Sequence, residues 1–357
     1  LWTEIRVPGR LNSVPSPSSF LIVDAHAMAY RAYYALAGQN LTDPATGQST
    51  AAVFGFFRML VKILGDYKPE HTAIVWDPPG KSFRSRDFPA YKAGRKPMPD
   101  DLQSQIEGIK GLLLEAGFYP AEVADFEADD VIGTLAVRFA RDHRVLLLTA
   151  DKDCFQLLNE SISMLRSTRG VSEFVLVTPD WVKQELGVLP EQIVDYMALV
   201  GDSSDNIPGA AGVGPKSAAG LIEQFGTIEK LYERLEQVKQ KGLREKLSAA
   251  RESVFLSRQL ATIVTDVPAV QSIPVDDFKT PDLTRPEVMS LFQSSGFQAI
   301  YQDLSRWQKK AVPEKKKSPA RKLKYIYVQS EQDEALLKSS LQKAKVLAVD
   351  TETTGAD

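Results

Sequence analysis

Three short apolar runs in this chain each end on an aspartate: Phe20-Leu21-Ile22-Val23-Asp24, Thr72-Ala73-Ile74-Val75-Trp76-Asp77 and Arg144-Val145-Leu146-Leu147-Leu148-Thr149-Ala150-Asp151. Runs of this length read as buried strands, and helical patterns at about 26–37, 50–66, 101–116 and 128–142 lie between them. Strands alternating with helices predict a doubly wound α/β core around a mostly parallel sheet. In such a sheet the ligand site lies beyond the carboxyl ends of the strands. Asp24, Asp77 and Asp151 occupy that end, with Asp153 just past the third strand. One strand-terminal Asp is an ordinary turn former or helix cap. Three on three strands point to a shared site.

Phe126-Glu127-Ala128-Asp129-Asp130-Val131-Ile132-Gly133 strengthens the pattern by placing three acids at the start of an apolar-periodic helix. An acid there complements the helix dipole. Three exceed what capping needs, because like charges this close raise one another's pKa or require a cation between them. Leu199-Val200-Gly201-Asp202-Ser203-Ser204-Asp205-Asn206-Ile207-Pro208-Gly209 adds Asp202 and Asp205, which share a face if the turn is helical. Only Lys152 lies within these motifs, so the expected carboxylate basin calls for divalent ions, and oxygen donors favour magnesium or manganese. Three histidines and one cysteine, Cys154, argue against a zinc site of the usual ligands, a cysteine or serine triad and an internal disulfide. The net charge of −3 excludes a histone-like binder and limits any nucleic-acid surface to local patches.

Two such patches stand out. Lys81 to Lys96 holds six basic residues, one acid and three aromatics, including Lys81, Arg84, Tyr91, Lys92 and Arg95. A solvated loop is the plain reading; aromatic interleaving beside a strand-end acid favours a mobile element contacting a single strand. In Gly212-Val213-Gly214-Pro215-Lys216-Ser217-Ala218 the glycines permit close backbone approach, Pro215 suits a helix start, and Lys216 flanks the exposed amides. This is not a Walker A loop. With Lys239, Lys241, Arg244, Lys246 and Arg251 in a helical stretch over 227–263, it reads as a hairpin gripping a nucleic-acid backbone. A hairpin is expected at about 161–177 and helices near 179–186 and 190–200.

The ends differ in texture. Residues 1–19 read as a disordered extension, and 311–322, rich in lysine and proline, as a tethering linker. Residues 323–357 give strand, helix and strand, ending Val346-Leu347-Ala348-Val349-Asp350-Thr351-Glu352-Thr353-Thr354-Gly355, with too little chain to bury a core. No apolar run approaches the length of a membrane span and no leader pattern opens the chain, so cytoplasm or nucleoid is the expected location.

Together, "LIVDAHAMAYRAYYAL", "VWDPPGKSFRSRDFPAYKAGR", "EADDVIGTLA", "LTADKDCFQLL", "GDSSDNIPG" and "GVGPKSA" resemble the bacterial branch of the flap-endonuclease family, the 5′-nuclease domain that opens a DNA polymerase I. The resemblance runs from about 20 to 300, and "VLAVDTETTG" resembles the first motif of the 3′–5′ proofreading exonuclease that follows that domain. It implies a nuclease core over 20–200 with a helical arch at 81–98, then a helix–three-turn–helix DNA-binding subdomain over 201–310. It further implies a monomer acting on 5′ flaps, nicks and RNA-primed ends in replication and repair. Asp24, Asp77, Glu127, Asp129, Asp130, Asp151, Asp153, Asp202 and Asp205 fall on the family's acidic positions, which hold two or more magnesium ions directly or through water. Lys92 and Arg95 match basic residues beside the scissile phosphate, and Arg31 and Arg84 fall on positions expected to contact phosphates. The resemblance places DNA contacts at Gly212, Gly214 and Lys216, with potassium assisting there. Asp350 and Glu352 match a truncated exonuclease site lacking its later acids, so neither proofreading nor polymerase activity is expected of this piece. A PIN-type ribonuclease, another acid-rich phosphoryl hydrolase and a non-catalytic DNA-binding module are the alternatives.

Overall fold

The computed structural model describes residues 19–43, 46–311 and 328–343. A six-stranded sheet carries the site, with strands β1 (Ser19–Asp24), β2 (His71–Val75), β3 (Tyr119–Ala121), β4 (Arg144–Leu148), β5 (Ile162–Arg169) and β6 (Glu173–Val177). The order is β3-β2-β1-β4-β5-β6, every neighbouring pair being parallel except β5–β6. Leu21 pairs with Thr72 on one side and Leu146 on the other, so β1 lies at the centre and its end opens onto both neighbours.

Alternation along β1 accounts for the two-faced core. Phe20 and Ile22 pack with Val145, Leu147 and the apolar face of a helix at Ala128–Phe139, while Leu21 and Val23 face a second cluster. That second cluster is filled by helices α1 (Ala25–Ala35), α2 (Ala51–Tyr67) and α4 (Asp100–Ala116), α3 being the five-residue helix Phe83–Asp87. The Ala128–Phe139 helix is α5. A strand buried on both faces needs apolar side chains at every position, which is why these runs are continuous rather than alternating.

The expected elements recur within a few residues, with three differences. β3 has no counterpart in the sequence reading: it is three residues long, contains Pro120 and sits at the sheet edge, where a missing amide donor is tolerated. The 190–200 helix is a 3-10 turn, Pro190–Gln192, followed by an α-helix, Ile193–Val200. Of residues 81–98, only Phe83–Asp87 is helical, and the stretch around Lys92 runs in turns.

Beyond β6 the chain is helical: α6 (Pro179–Leu186), α7 (Ile193–Val200), α8 (Pro215–Phe225), α9 (Ile228–Glu233), α10 (Lys241–Ala249), α11 (Arg251–Ala261), α12 (Pro268–Gln271), α13 (Pro286–Ser294) and α14 (Gln298–Ala311). Between α7 and α8, Gly201 and Gly209 meet backbone to backbone. A Cβ on Gly209 would stand 2.5 Å from the Gly201 nitrogen, so this crossing admits only glycine. Residues 310–357 group as a second unit, whose described residues include the end of α14 and an exposed helix, α15 (Glu331–Lys343). The linker at 312–322 and the residues Asp350 and Glu352 lie outside the described residues. Among the described residues no helix is long and apolar enough to cross a membrane.

Candidate metal centre

The strand-end acids are joined by their own hydrogen bonds. Asp24 accepts the Ala27 amide at 3.0 Å, which starts α1, and the Thr149 hydroxyl at 2.7 Å. That hydroxyl also accepts the Asp151 amide at 3.1 Å, and Asp151 accepts the Asp153 amide at 3.0 Å. Asp77 accepts the amide of Ala128, the first residue of α5, at 2.8 Å. The ends of β1, β2 and β4 and the start of α5 are thereby brought to one rim of the sheet.

Crowding shows in the titration behaviour. Burial pushes Asp24 up to about 7 against the hydrogen bond from Ala27, with Asp77 and Asp151 adding to the rise. Burial, then Asp151, Asp205 and Asp202, push Asp153 up to about 8. Asp129 is driven well above the usual carboxylate range by burial, Asp151 and Asp24. These mutual effects make Asp24, Asp77, Asp129, Asp151, Asp153, Asp202 and Asp205 one electrostatic cluster. The Cys154 thiol lies 3.8 Å from Asp129, and burial and the surrounding acids raise its pKa. Cys154 therefore stays a neutral thiol.

The expectation that Lys152 is the sole cation among the acids is corrected by the fold. Lys92 donates to Glu127 at 2.9 Å and lies 3.8 Å from Asp205. Arg95 donates to Asp205 at 2.5 Å. Burial opposes the charge on Lys92, yet Glu127 raises its pKa overall; burial would likewise raise Glu127, but Lys92 holds it low. Lys92 has a positive φ of 56°, uncommon outside glycine, and is held there by its amide bond to the Asp205 carbonyl at 2.9 Å. Asn206, also at positive φ, donates from its side chain to the Ala90 carbonyl. The cationic turn is thus docked on the Asp202–Asp205 loop.

Four sequence assignments change. Asp202 and Asp205 do not share a helical face: their loop is closed by a bridge between Asp202 and Ile207, and Asp202 turns to Lys152 at 3.5 Å while Asp205 turns to Arg95. Asp130 is 0% exposed and holds Arg84, itself 3% exposed, through two bonds of 2.7 Å. Neither side chain is presented to a ligand, so Asp130 as a metal residue and Arg84 as a phosphate contact do not fit this arrangement. Tyr91, expected to meet DNA, is 6% exposed, with its hydroxyl on Glu127 at 3.1 Å.

The remaining sites lie apart from the acids' hydrogen-bond network. Arg31 donates to Ser167 and to the Gly170 carbonyl, at the β5–β6 turn. Lys81 is exposed ahead of α3. Gly212, at φ 76°, Gly214 and Lys216 are exposed; Gly214 caps α8, Pro215 is its first residue, and Lys246 approaches Gly212 so closely that a Cβ would stand 2.7 Å from its Nζ. Sequence reasoning missed His26, whose Nδ1 accepts the Asp77 amide, and Thr149, which links Asp24 to Asp151. Their only signals were the position of His26 two residues past a strand-end acid and that of Thr149 two residues before one.

All-oxygen donors with carboxyls forced partly neutral by one another fit a hard divalent cation, which would relieve the repulsion. Among the described residues no three His, Cys, Asp or Glu side chains are drawn close enough to enclose an ion as they stand. Asp24, Asp77, Asp129, Asp151, Asp153 and Asp202 could hold one after small rotations or through water, whereas Glu127 and Asp205, also expected among the metal residues, are engaged here by Lys92 and Arg95. Metal-free stability follows from the raised values. Between roughly pH 4 and 8 the folded protein keeps protons on Asp24 and Asp153 that the unfolded chain has released. Stability therefore falls as pH rises through that window. In EDTA the melting temperature is expected to drop by about 5 °C or more between pH 5 and pH 8, and magnesium at pH 8 should restore it. A flat profile by calorimetry would contradict this electrostatic reading.

Residues 19–187 match the family model for the "5′-3′ exonuclease, N-terminal resolvase-like domain", and 188–285 match the "5′-3′ exonuclease, C-terminal SAM fold". DNA polymerase I of Bacillus subtilis is 38% identical over 80% of this chain and 32% of its own length. The thermostable DNA polymerase I of Thermus thermophilus is 44% identical over 70% of this chain and 29% of its own. The chain spans about a third of the length of these relatives. Among solved structures, T5 D15 protein co-crystallised with metal ions aligns with a TM-score of 0.57 at 19% identity, covering 82% of this chain and 98% of that one. The catalytic core of Rad2 in complex with DNA substrate aligns at 0.55 and 20% identity, covering 80% and 92%. At such identities the likeness is one of fold.

Proposed function

The chain belongs to the 5′-3′ exonuclease family, and on that premise we propose that it hydrolyses DNA phosphodiester bonds near 5′ ends and at flaps, with divalent ions seated among its clustered carboxylates. The observation that carries the reading is the cluster itself: three acids, Asp24 buried and Asp129 and Asp153 half-buried, with raised pKa values, faced by a cationic turn on a second segment. The relatives are DNA polymerases I, and we infer that this chain is the nuclease portion of such a protein, acting in primer removal and repair.

Magnesium, or manganese in its place, would supply Lewis acidity toward the phosphate and a water acidified toward neutral pH. Asp24, Asp77, Asp129, Asp151, Asp153 and Asp202 would hold two or more such ions, with Glu127 and Asp205 anchoring the cations opposite. Lys92 and Arg95 would meet the negative charge that grows on the phosphate; both are already fixed by carboxylates and need little reorganisation. Gly212, Gly214 and Lys216 offer exposed amides and a cation to the duplex backbone, and a potassium ion at that turn is part of the proposal. Arg31 and Lys81 are proposed as further phosphate contacts. Among neighbours of this fold, one is the catalytic core of Rad2 with its DNA substrate and another is a T5 flap endonuclease with DNA and metal ions, which supports DNA as the substrate class.

The test is a duplex with a 5′-labelled single-stranded flap. With magnesium the chain is expected to release a short labelled product near the junction; with EDTA it should bind the duplex and release none. A product independent of metal, or cleavage confined to 3′ ends, would overturn the proposal.

A further inference from the structure

We propose that Arg84 and Asp130 form a positioning pair, a buried clasp that sets the cationic turn of Lys92 and Arg95 against the acidic start of α5. The inference rests on the nuclease reading, since it is the placing of Lys92 and Arg95 that gives the clasp its purpose.

The Asp130 carboxylate has no capacity left for an ion. Its Oδ2 accepts from Arg84 Nη1 at 2.7 Å and from the Glu127 amide at 3.2 Å, and its Oδ1 accepts from Arg84 Nη2 at 2.7 Å and from the Val264 amide at 2.8 Å. Four bonds use the lone pairs a carboxylate offers. Arg84 Nη2 donates also to the Thr262 carbonyl at 2.6 Å, and the guanidinium lies over the Phe83 ring. Its Nη1 stands 3.5 Å from Glu127. A two-pronged bond in a dry site fixes orientation as well as distance.

Three chain segments meet at this pair, and each leads to a part of the site. Arg84 belongs to the short helix α3, from which the chain turns directly into Tyr91, Lys92 and Arg95. Asp130 lies one turn into α5, after Glu127 and Asp129, and Glu127 receives the Lys92 ammonium, the Tyr91 hydroxyl and the Ser82 hydroxyl. Thr262 and Val264 follow α11, whose Ser257 accepts the Gly209 amide and whose Ser253 donates to the Gly209 carbonyl. Gly209 closes the loop that presents Asp205, the partner of Arg95. Lys92 cannot hold its unusual backbone unless all three segments keep register.

The role separates cleanly from that of a metal ligand or a substrate contact. A ligand changes the ion concentration needed for activity; a positioning pair changes the rate at saturating ion and the order of the turn without ion. The experiment compares wild type, Arg84→Met, Asp130→Asn and the double variant by single-turnover cleavage of the flap duplex over a magnesium series. Hydrogen exchange at Lys92 and Arg95 in EDTA is measured alongside. Each single variant is expected to lose about 100-fold in rate, the scale of a misplaced catalytic group, with magnesium half-saturation unchanged. Exchange at the Lys92 amide should rise by about 10-fold or more as the local structure opens. The double variant should be no slower than the slower single, because one interaction is removed only once.

Arg84→Lys keeps the buried charge and loses the fork, and it should show the same pattern at smaller amplitude even if the apolar replacement unfolds. Losses that multiply in the double variant would overturn the proposal. So would an Asp130→Asn that shifts magnesium half-saturation while leaving Lys92 exchange untouched, or an Arg84→Lys indistinguishable from wild type in both readouts. If wild type itself fails to cleave, the nuclease reading falls, and exchange at Lys92 still decides whether the clasp orders the turn.

Discussion

Replacing Asp151 by Asn is expected to lower metal-dependent cleavage about 1,000-fold or more while leaving DNA affinity nearly unchanged. Asp151 raises the pKa values of Asp24, Asp129 and Asp153, so it sits at the electrostatic centre of the cluster. Asparagine keeps an oxygen that can still accept the Asp153 amide, now 3.0 Å from the Asp151 carboxylate, so the local turn survives and the missing charge is isolated as the cause. The duplex contacts proposed at Gly212, Gly214 and Lys216 belong to a different stretch and would be untouched. A second consequence has the opposite sign. Removing one charge from a self-repelling set should stabilise the metal-free protein, so Asp151→Asn is expected to melt higher than wild type in EDTA at pH 8. A variant that cleaves normally, or one that is inactive because it is unfolded, would count against the assignment. Circular dichroism and single-turnover kinetics on one preparation separate these outcomes.

Lys92→Met is expected to slow single-turnover cleavage about 100-fold with little change in binding, since a cation placed where charge develops acts on the rate. Methionine retains a long unbranched stem and meets the same φ of 56°, so backbone cost is shared with the parent residue. Against burial, the ammonium holds Glu127 below the usual carboxylate range together with Arg84 and the Ser82 hydroxyl. Equal losses in binding and in single-turnover rate would instead mark Lys92 as a simple phosphate anchor.

The strand-end part of the acid rim was legible because Asp24 ends β1 and Asp77 and Asp151 lie two and three residues past β2 and β4. Asp24, Asp77 and Asp151 follow continuous apolar runs, and burial on both faces of a central sheet demands such runs. The cationic side was not legible. Lys92 reaches Glu127 across 35 positions and Arg95 reaches Asp205 across 110, so inspecting each motif for its own counter-charge found only Lys152. Asp129 and Asp130 show a finer limit. As neighbours on a helix they point about 100° apart. One turns to the acids and the other to Arg84, 46 positions earlier, and nothing local says which. Tyr91 likewise looked like a surface aromatic in a basic stretch until the fold placed it over Glu127. The short edge strand β3 was hidden by Pro120 and by its length of three residues.

The central claim is that these carboxylates seat divalent ions, and a manganese titration of the metal-free protein at pH 7 tests it most directly. Free ion is followed by electron paramagnetic resonance and released protons by pH-stat. Acids whose pKa values are pushed up to about 7 and about 8 must shed protons when an ion binds. Wild type is expected to bind at least two ions with proton release, and Asp151→Asn to lose at least one of them together with its protons. Binding without proton release, or the same binding curve for both proteins, would contradict it.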